Sequence, residues 1–181
     1  IMKNFTEEII LKLSCVTFMQ KECIAALLCE HLDEFKDLYF EDVMEKYIDR
    51  IIKKGEEGCA ENYDFCVVAH SPNIEKKHRI VVAVQLKMHP PKEDEMVPSE
   101  LEEAFEMYHE EKMKVEDDTV LHCYGFCFYL DPPKELQDRT IRLKMNVCTT
   151  DGNNLMGENK CNAFIVYLGD KPKEEVLSRI H

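Results

Sequence analysis

The chain has no tryptophan, six glycines among 181 residues, and no apolar run near the ~20 residues that a membrane-spanning helix requires. It also lacks a GxGxxG turn, a GxxxxGK[ST] loop, a GxSxG elbow and an HExxH helix, which removes the usual signals of nucleotide, esterase and zinc-protease sites. No CxxC pair is present. The opening residues, IMKNFTEEII, hold no basic stretch followed by a long apolar one, so no secretory signal is expected.

What is abundant is cysteine and acid. Nine cysteines are an odd number, and most of them sit inside apolar helix or strand patterns rather than in loops. Reduced thiols in an intracellular protein, cytoplasmic or nuclear, are the expectation. His122, Cys123 and Cys127 come nearest to a metal-ligand spacing, but a zinc site needs four ligands from converging pairs. They read as core residues, and no metal or other cofactor is expected on this account. The formal charge is −13, from 36 acidic and 23 basic residues. Segment 92–118 alone holds twelve acidic and three basic residues, a net of −9. Such a surface repels phosphate backbones and suits a basic protein partner, with nucleic acid disfavoured and no membrane involved.

At this length one domain spanning residues 1–181 is expected. Its centre is the stretch Tyr63–Met88, two β-rich runs around a polar loop. Ile80, Val82, Val84, Leu86 and Met88 alternate with Arg79, Val81, Ala83, Gln85 and Lys87, which predicts a hairpin with one buried and one mixed face. Before it, a helix is expected from Asn4 to about His31, broken near Phe18–Lys21. A second helix is expected over Phe40–Ile52, where apolar residues recur at i, i+3, i+4 and i+7, capped by Gly55. After the hairpin, Pro98 and a Ser99/Glu102 capping box predict a polar helix to about Lys114 with a stripe of Leu101, Ala104, Phe105 and Tyr108. Strands follow over Val120–Leu130, Thr140–Cys148 and Cys161–Leu168, then a short helix over Glu174–Ile180. The sum is an α+β fold: a mostly antiparallel sheet of about five strands with two N-terminal helices, one acidic central helix and a short C-terminal helix.

Two functional readings follow. The first is a non-enzymatic, intracellular protein-interaction domain, an adaptor or assembly subunit. Its docking face would be acidic, formed by Glu102, Glu103, Glu106 and Glu110, and its sheet edges would be open to strand addition. The second rests on Asp64, at the start of one run, and Gln85-Leu86-Lys87 on the next. This spacing resembles the motif of PD-(D/E)xK nucleases, with Tyr63 where proline is usual and Gln85 in place of the acid. The resemblance implies a Mg²⁺-dependent nuclease in which Asp64 and Gln85 serve the metal and Lys87 steadies developing charge.

Overall fold

The computed structural model describes residues 2–72, 77–91 and 93–169. The helix expected over 174–180 lies outside these residues. Helices α1 (Met2–Phe18) and α2 (Lys21–His31) are separated where the chain turns at Met19 and Gln20. Gln20 is extended, with ψ of 140°, and its side chain donates to the Val16 carbonyl at 3.2 Å, so α1 ends on its own polar residues.

The sequence expectation of one helix over Phe40–Ile52 needs correction. Only Phe40–Asp42 (α3) and a π-helical continuation, Val43–Tyr47, are helical, and Ile48–Lys53 is a strand, β1. The β-branched residues explain the difference. Ile51 and Ile52 pair with Val67 and Cys66 of β2 (Phe65–Ala69), and a bulge between Ile48 and Arg50 returns Ile48 and Ile51 to one face. A spacing of 48, 51 and 52 reads as helical only if the strand is taken as regular.

Among the described residues the sheet has six strands, close to the expected number of about five, in the order β1-β2-β3-β4-β6-β5, with β3 His78–Lys87, β4 Val120–Tyr129, β5 Thr140–Lys144 and β6 Lys160–Tyr167. The pairs β1/β2, β2/β3 and β5/β6 are antiparallel, while β3/β4 and β4/β6 are parallel. The sheet is therefore mixed: three of its five pairings are antiparallel, as expected for most of it, and two are parallel, which was not expected. The reason lies in α4 (Glu93–Lys114), a crossover helix that returns the chain from the end of β3 to the start of β4. Parallel strands of this kind are covered on both faces, and all ten residues of β4 are buried.

Three layers result. One face packs against α2 and the segment after it: Leu28, Phe35 and Val43 meet Phe65, Val82, Val84, Phe126 and Phe164. Phe126 stacks on Phe164 with ring centroids 4.6 Å apart and on Phe128 at 5.7 Å. Each buried ring of this kind contributes roughly 1.5–3 kcal/mol, which makes this face the dominant core. On the other face α4 lays Ala104 and Met107 over Ala83, Cys123, Cys161 and Ala163. Of the stripe expected from sequence, Ala104 is buried and Tyr108 packs beside it, whereas Phe105 is 40% exposed and Met107 is buried in its stead. Helix α4 also begins at Glu93, so Ser99 lies inside it and is no cap. Gly125 lets α4 approach β4, because a Cβ there would lie 2.5 Å from the Tyr63 hydroxyl and 3.1 Å from the Ala104 methyl.

Candidate functional site at the β3 end of helix α4

Alternation along β3 sends Arg79, Val81, Ala83, Gln85 and Lys87 toward α4, apolar in the middle and polar at both ends. Helix α4 mirrors this arrangement with Glu100, Ala104, Met107 and Glu111. Eleven helical residues rise about 16 Å, and the six strand residues from Arg79 to Gln85 span about 20 Å. The two polar ends therefore meet. At one end Arg79 Nη2 lies 3.2 Å from Glu111 Oε2, and Lys114 Nζ lies 3.4 Å from Oε1. At the other, Gln85 Nε2 donates to Glu100 Oε2 and to Glu103 Oε2, each at 2.8 Å, and Lys87 Nζ stands 3.6 Å from Glu100 Oε1.

This second cluster is the candidate site. Gln85 and Glu100 are each 5% exposed, so the amide and the carboxylate are held out of water. Burial pushes the Glu100 carboxyl above its ordinary pKa, and the neighbouring Glu103 pushes it the same way, against the pull of the Lys87 ammonium. Cys127 lies beside Gln85 in register, and its thiol is raised to about 12 by burial and by Glu100. Lys87, at the carboxyl end of a parallel strand, stands where ligands of open α/β sheets bind.

Asp64 precedes β2 by one residue. Phe65 pairs with Val84, which puts Asp64 opposite Gln85. Its amide donates to the Val84 carbonyl at 2.8 Å, and its carboxylate Oδ2 accepts from the Leu86 amide at 2.8 Å. The side chain thus closes the open end of the β2–β3 ladder. Asp64, Gln85 and Lys87 come to the same end of the same hairpin, but the bond recorded for Asp64 is to backbone, and the partners of Gln85 and Lys87 come from α4. Among the described residues no three histidine, cysteine or acidic side chains converge as a metal cage. The donors present are nevertheless hard oxygens, and Mg²⁺ takes one or two carboxylates while keeping several waters. Asp64, whose Oδ2 already accepts from the Leu86 amide, and the Gln85 amide are donors of that type at this end of the hairpin.

No protein-family model matches the chain, and neither a curated protein nor a solved structure matches it.

The four acids expected to form a docking face divide. Glu102, Glu106 and Glu110 are exposed in a row at i, i+4 and i+8, whereas Glu103 is half-buried and turned to Gln85. Glu100 was not singled out from sequence, although its spacing to Ala104, Met107 and Glu111 puts it on the sheet-facing side. The cue was a charged residue at each end of the helix line opposite a polar residue at each end of the strand row. His122, Cys123 and Cys127 do not converge: His122 turns to the α2 side, and the two thiols join separate clusters under α4 and beyond it.

A second polar cluster lies on the α2 side. His122 Nδ1 and the Tyr124 hydroxyl both approach Glu34 Oε1, the latter at 2.6 Å, and His122 Nε2 lies 3.0 Å from the Glu158 carbonyl. Burial alone would raise the Glu34 carboxyl, but the hydrogen bonds from His122 and Tyr124 override it and hold the pKa at about 2.

Proposed function

We propose that the chain is a metal-dependent phosphodiester hydrolase of the nuclease type, acting at the end of β3. The observation that supports this reading most is the register of the hairpin. Asp64, just before β2, stands opposite Gln85, and Lys87 follows on the face that α4 covers. Asp64 and the Gln85 amide oxygen would hold Mg²⁺, which when bound supplies Lewis-acid polarisation and a bound water of lowered pKa. Lys87 would stabilise negative charge on a phosphoryl oxygen. Glu100 would keep that ammonium directed until substrate competes for it. The acidity of the protein shapes the substrate side: segment 92–118 carries −9 of the −13, leaving −4 for the other residues. Short substrates should be repelled less than long duplexes, and moderate salt should help association rather than hinder it.

The test is cleavage of short single-stranded DNA and RNA with Mg²⁺ or Mn²⁺, comparing wild type with Asp64→Asn and Lys87→Ala. Both variants should keep the wild-type circular-dichroism spectrum; Asp64→Asn should keep the melting curve too, since Asn retains an acceptor for Leu86, whereas Lys87→Ala should melt lower because it leaves the buried Glu100 carboxylate without its cation. Loss of metal-dependent cleavage in both supports the reading. Cleavage unaffected by either substitution, or none from the wild type with any of these substrates, refutes it.

A second reading keeps the expectation of a protein-interaction domain with a basic partner. Its support is the exposed row Glu102, Glu106, Glu110, flanked by Phe105 and by Met113, the latter 77% exposed. Charge reversal of the three acids should then slow capture of a basic partner at low salt and remove its salt dependence.

A further inference from the structure

On the α2 side of the sheet, at the edge away from β1, positive charge collects in an otherwise acidic protein. The pairing of β5 with β6 sets Arg142 beside Phe164 and Lys144 beside Asn162, and Lys160 follows one step on, next to His122. These side chains enclose a cavity of about 170 Å³, with Asp33, from the link after α2, and Asn159 completing the wall. Three cations and one acid line it, in a chain of net charge −13. Among the described residues neither Lys144 nor Lys160 forms an ion pair.

The guanidinium is held in place from three directions. Its carbon lies 5.2 Å above the Phe164 ring. Asn162, 4% exposed, accepts from Arg142 Nη2 at 3.2 Å once its amide is turned to donate to the Cys161 carbonyl at 3.1 Å. Asp33 Oδ2 accepts from Nη1 and Nη2 at 3.4 and 3.3 Å, contacts at the long end of hydrogen bonding. Asp33 is 55% exposed on its side chain, so solvent competes for it. Among the described residues the buried Arg142 Nε atom has no hydrogen-bond partner. A planar fork fixed this way, with two lysines that can swing onto it, matches a tetrahedral dianion better than a carboxylate, which one bidentate guanidinium already satisfies. The volume is well below the ~300 Å³ at which drug-sized ligands begin to fit, so the cavity takes a head group and leaves any remainder outside.

We propose that this cavity is a binding site for a phosphoryl monoester or inorganic phosphate, with Arg142 as the fixed donor and Lys144 and Lys160 closing on the phosphate oxygens. It lies on the opposite face and at the opposite end of the sheet from Lys87, whose register partner is Tyr129, so it stands or falls independently of the hydrolase reading.

Calorimetric titration of the full chain with inorganic phosphate tests it, against chloride at matched ionic strength. Saturable binding of phosphate alone is expected. Lys144→Gln and Lys160→Gln should each weaken it about tenfold, the loss of one charge-assisted contact, with unchanged melting curves because both side chains are exposed. Asp33→Asn should tighten it by removing the competing acid, a gain that no unfolding artefact can mimic. Parallel titrations with O-phosphoserine and adenosine 5′-monophosphate identify the source: tighter binding of either names what carries the phosphoryl group, and preference for neither names the free ion. Phosphate binding no better than chloride, or binding that the two lysine variants leave intact, overturns the proposal.

Discussion

Glu34→Gln offers a direct measure of what one buried carboxylate contributes. The substitution keeps the shape and removes the charge that His122 and Tyr124 share. The side chain is 9% exposed, so solvent screens it little. A fall from the ordinary 4.5 to about 2 corresponds to about 3 kcal/mol of folding stability. Because the folded-state pKa is depressed, this contribution is fully present above the unfolded value near 4.5 and is lost as pH falls through about 2. The variant should therefore be about 3 kcal/mol less stable at pH 7, a drop in melting temperature of roughly 10 °C for a chain of this size. Urea unfolding of both proteins at pH 7 and pH 3 reads the effect. At pH 3 the difference should shrink to about half or less. Should Glu34→Gln cost under about 1 kcal/mol at pH 7, or cost as much at pH 3 as at pH 7, the carboxylate is not held ionised by its two partners.

Three further outcomes follow from the packing. Gly125→Ala should destabilise by about 1–3 kcal/mol, since its methyl would meet the Tyr63 hydroxyl and Ala104; pairing it with Tyr63→Phe should recover part of the loss, and denaturant titration reads both. Val84→Asp buries a charge at a position with no exposure, so roughly 4 kcal/mol or more is lost and soluble expression should fail; near-normal stability would show that the face toward α2 is misassigned. In native alkylation followed by mass spectrometry, exposed Cys148 should react first, Cys15, Cys23 and Cys59 more slowly, and buried Cys29, Cys66, Cys123, Cys127 and Cys161 only on unfolding. A buried cysteine modified as fast as Cys148 would refute the burial assigned to it.

Much of this architecture was legible in the chain because the relevant signals are local. The alternation of Ile80–Met88 sets which side of β3 faces which layer, and the polar break near Met19 sets the α1–α2 boundary. What stayed hidden depends on partners distant in sequence. Ile48, Ile51 and Ile52 carry a helical spacing, and only the bulge and the pairing with β2 turn them into a strand. Parallel pairing of β3 with β4 is dictated by α4 crossing back, and the burial of all of Val120–Tyr129 that accompanies it shows only in the fold. The same holds for the site. Asp64, Gln85 and Lys87 could be placed on one hairpin by counting, whereas Glu100 enters only once a helix fifteen residues downstream of Gln85 is laid over the strand. Arg142, Lys144 and Lys160 lie on two strands separated by a long excursion, and Asp33 lies more than a hundred residues earlier.

The polar residues at both ends of α4 also act as a vernier that fixes where the helix lies along the sheet. Sliding by one turn would strand Glu100 and Glu111 together, and a single deleted residue between them would swing one away by about 100°. A ligand that draws Lys87 from Glu100 loosens only the near end, where Gln85 still holds Glu100 and Glu103, while Arg79 keeps hold of Glu111 at the far end. Were that near end to loosen, the Glu102–Glu106–Glu110 ridge would shift most beside Gln85 and least beside Glu111.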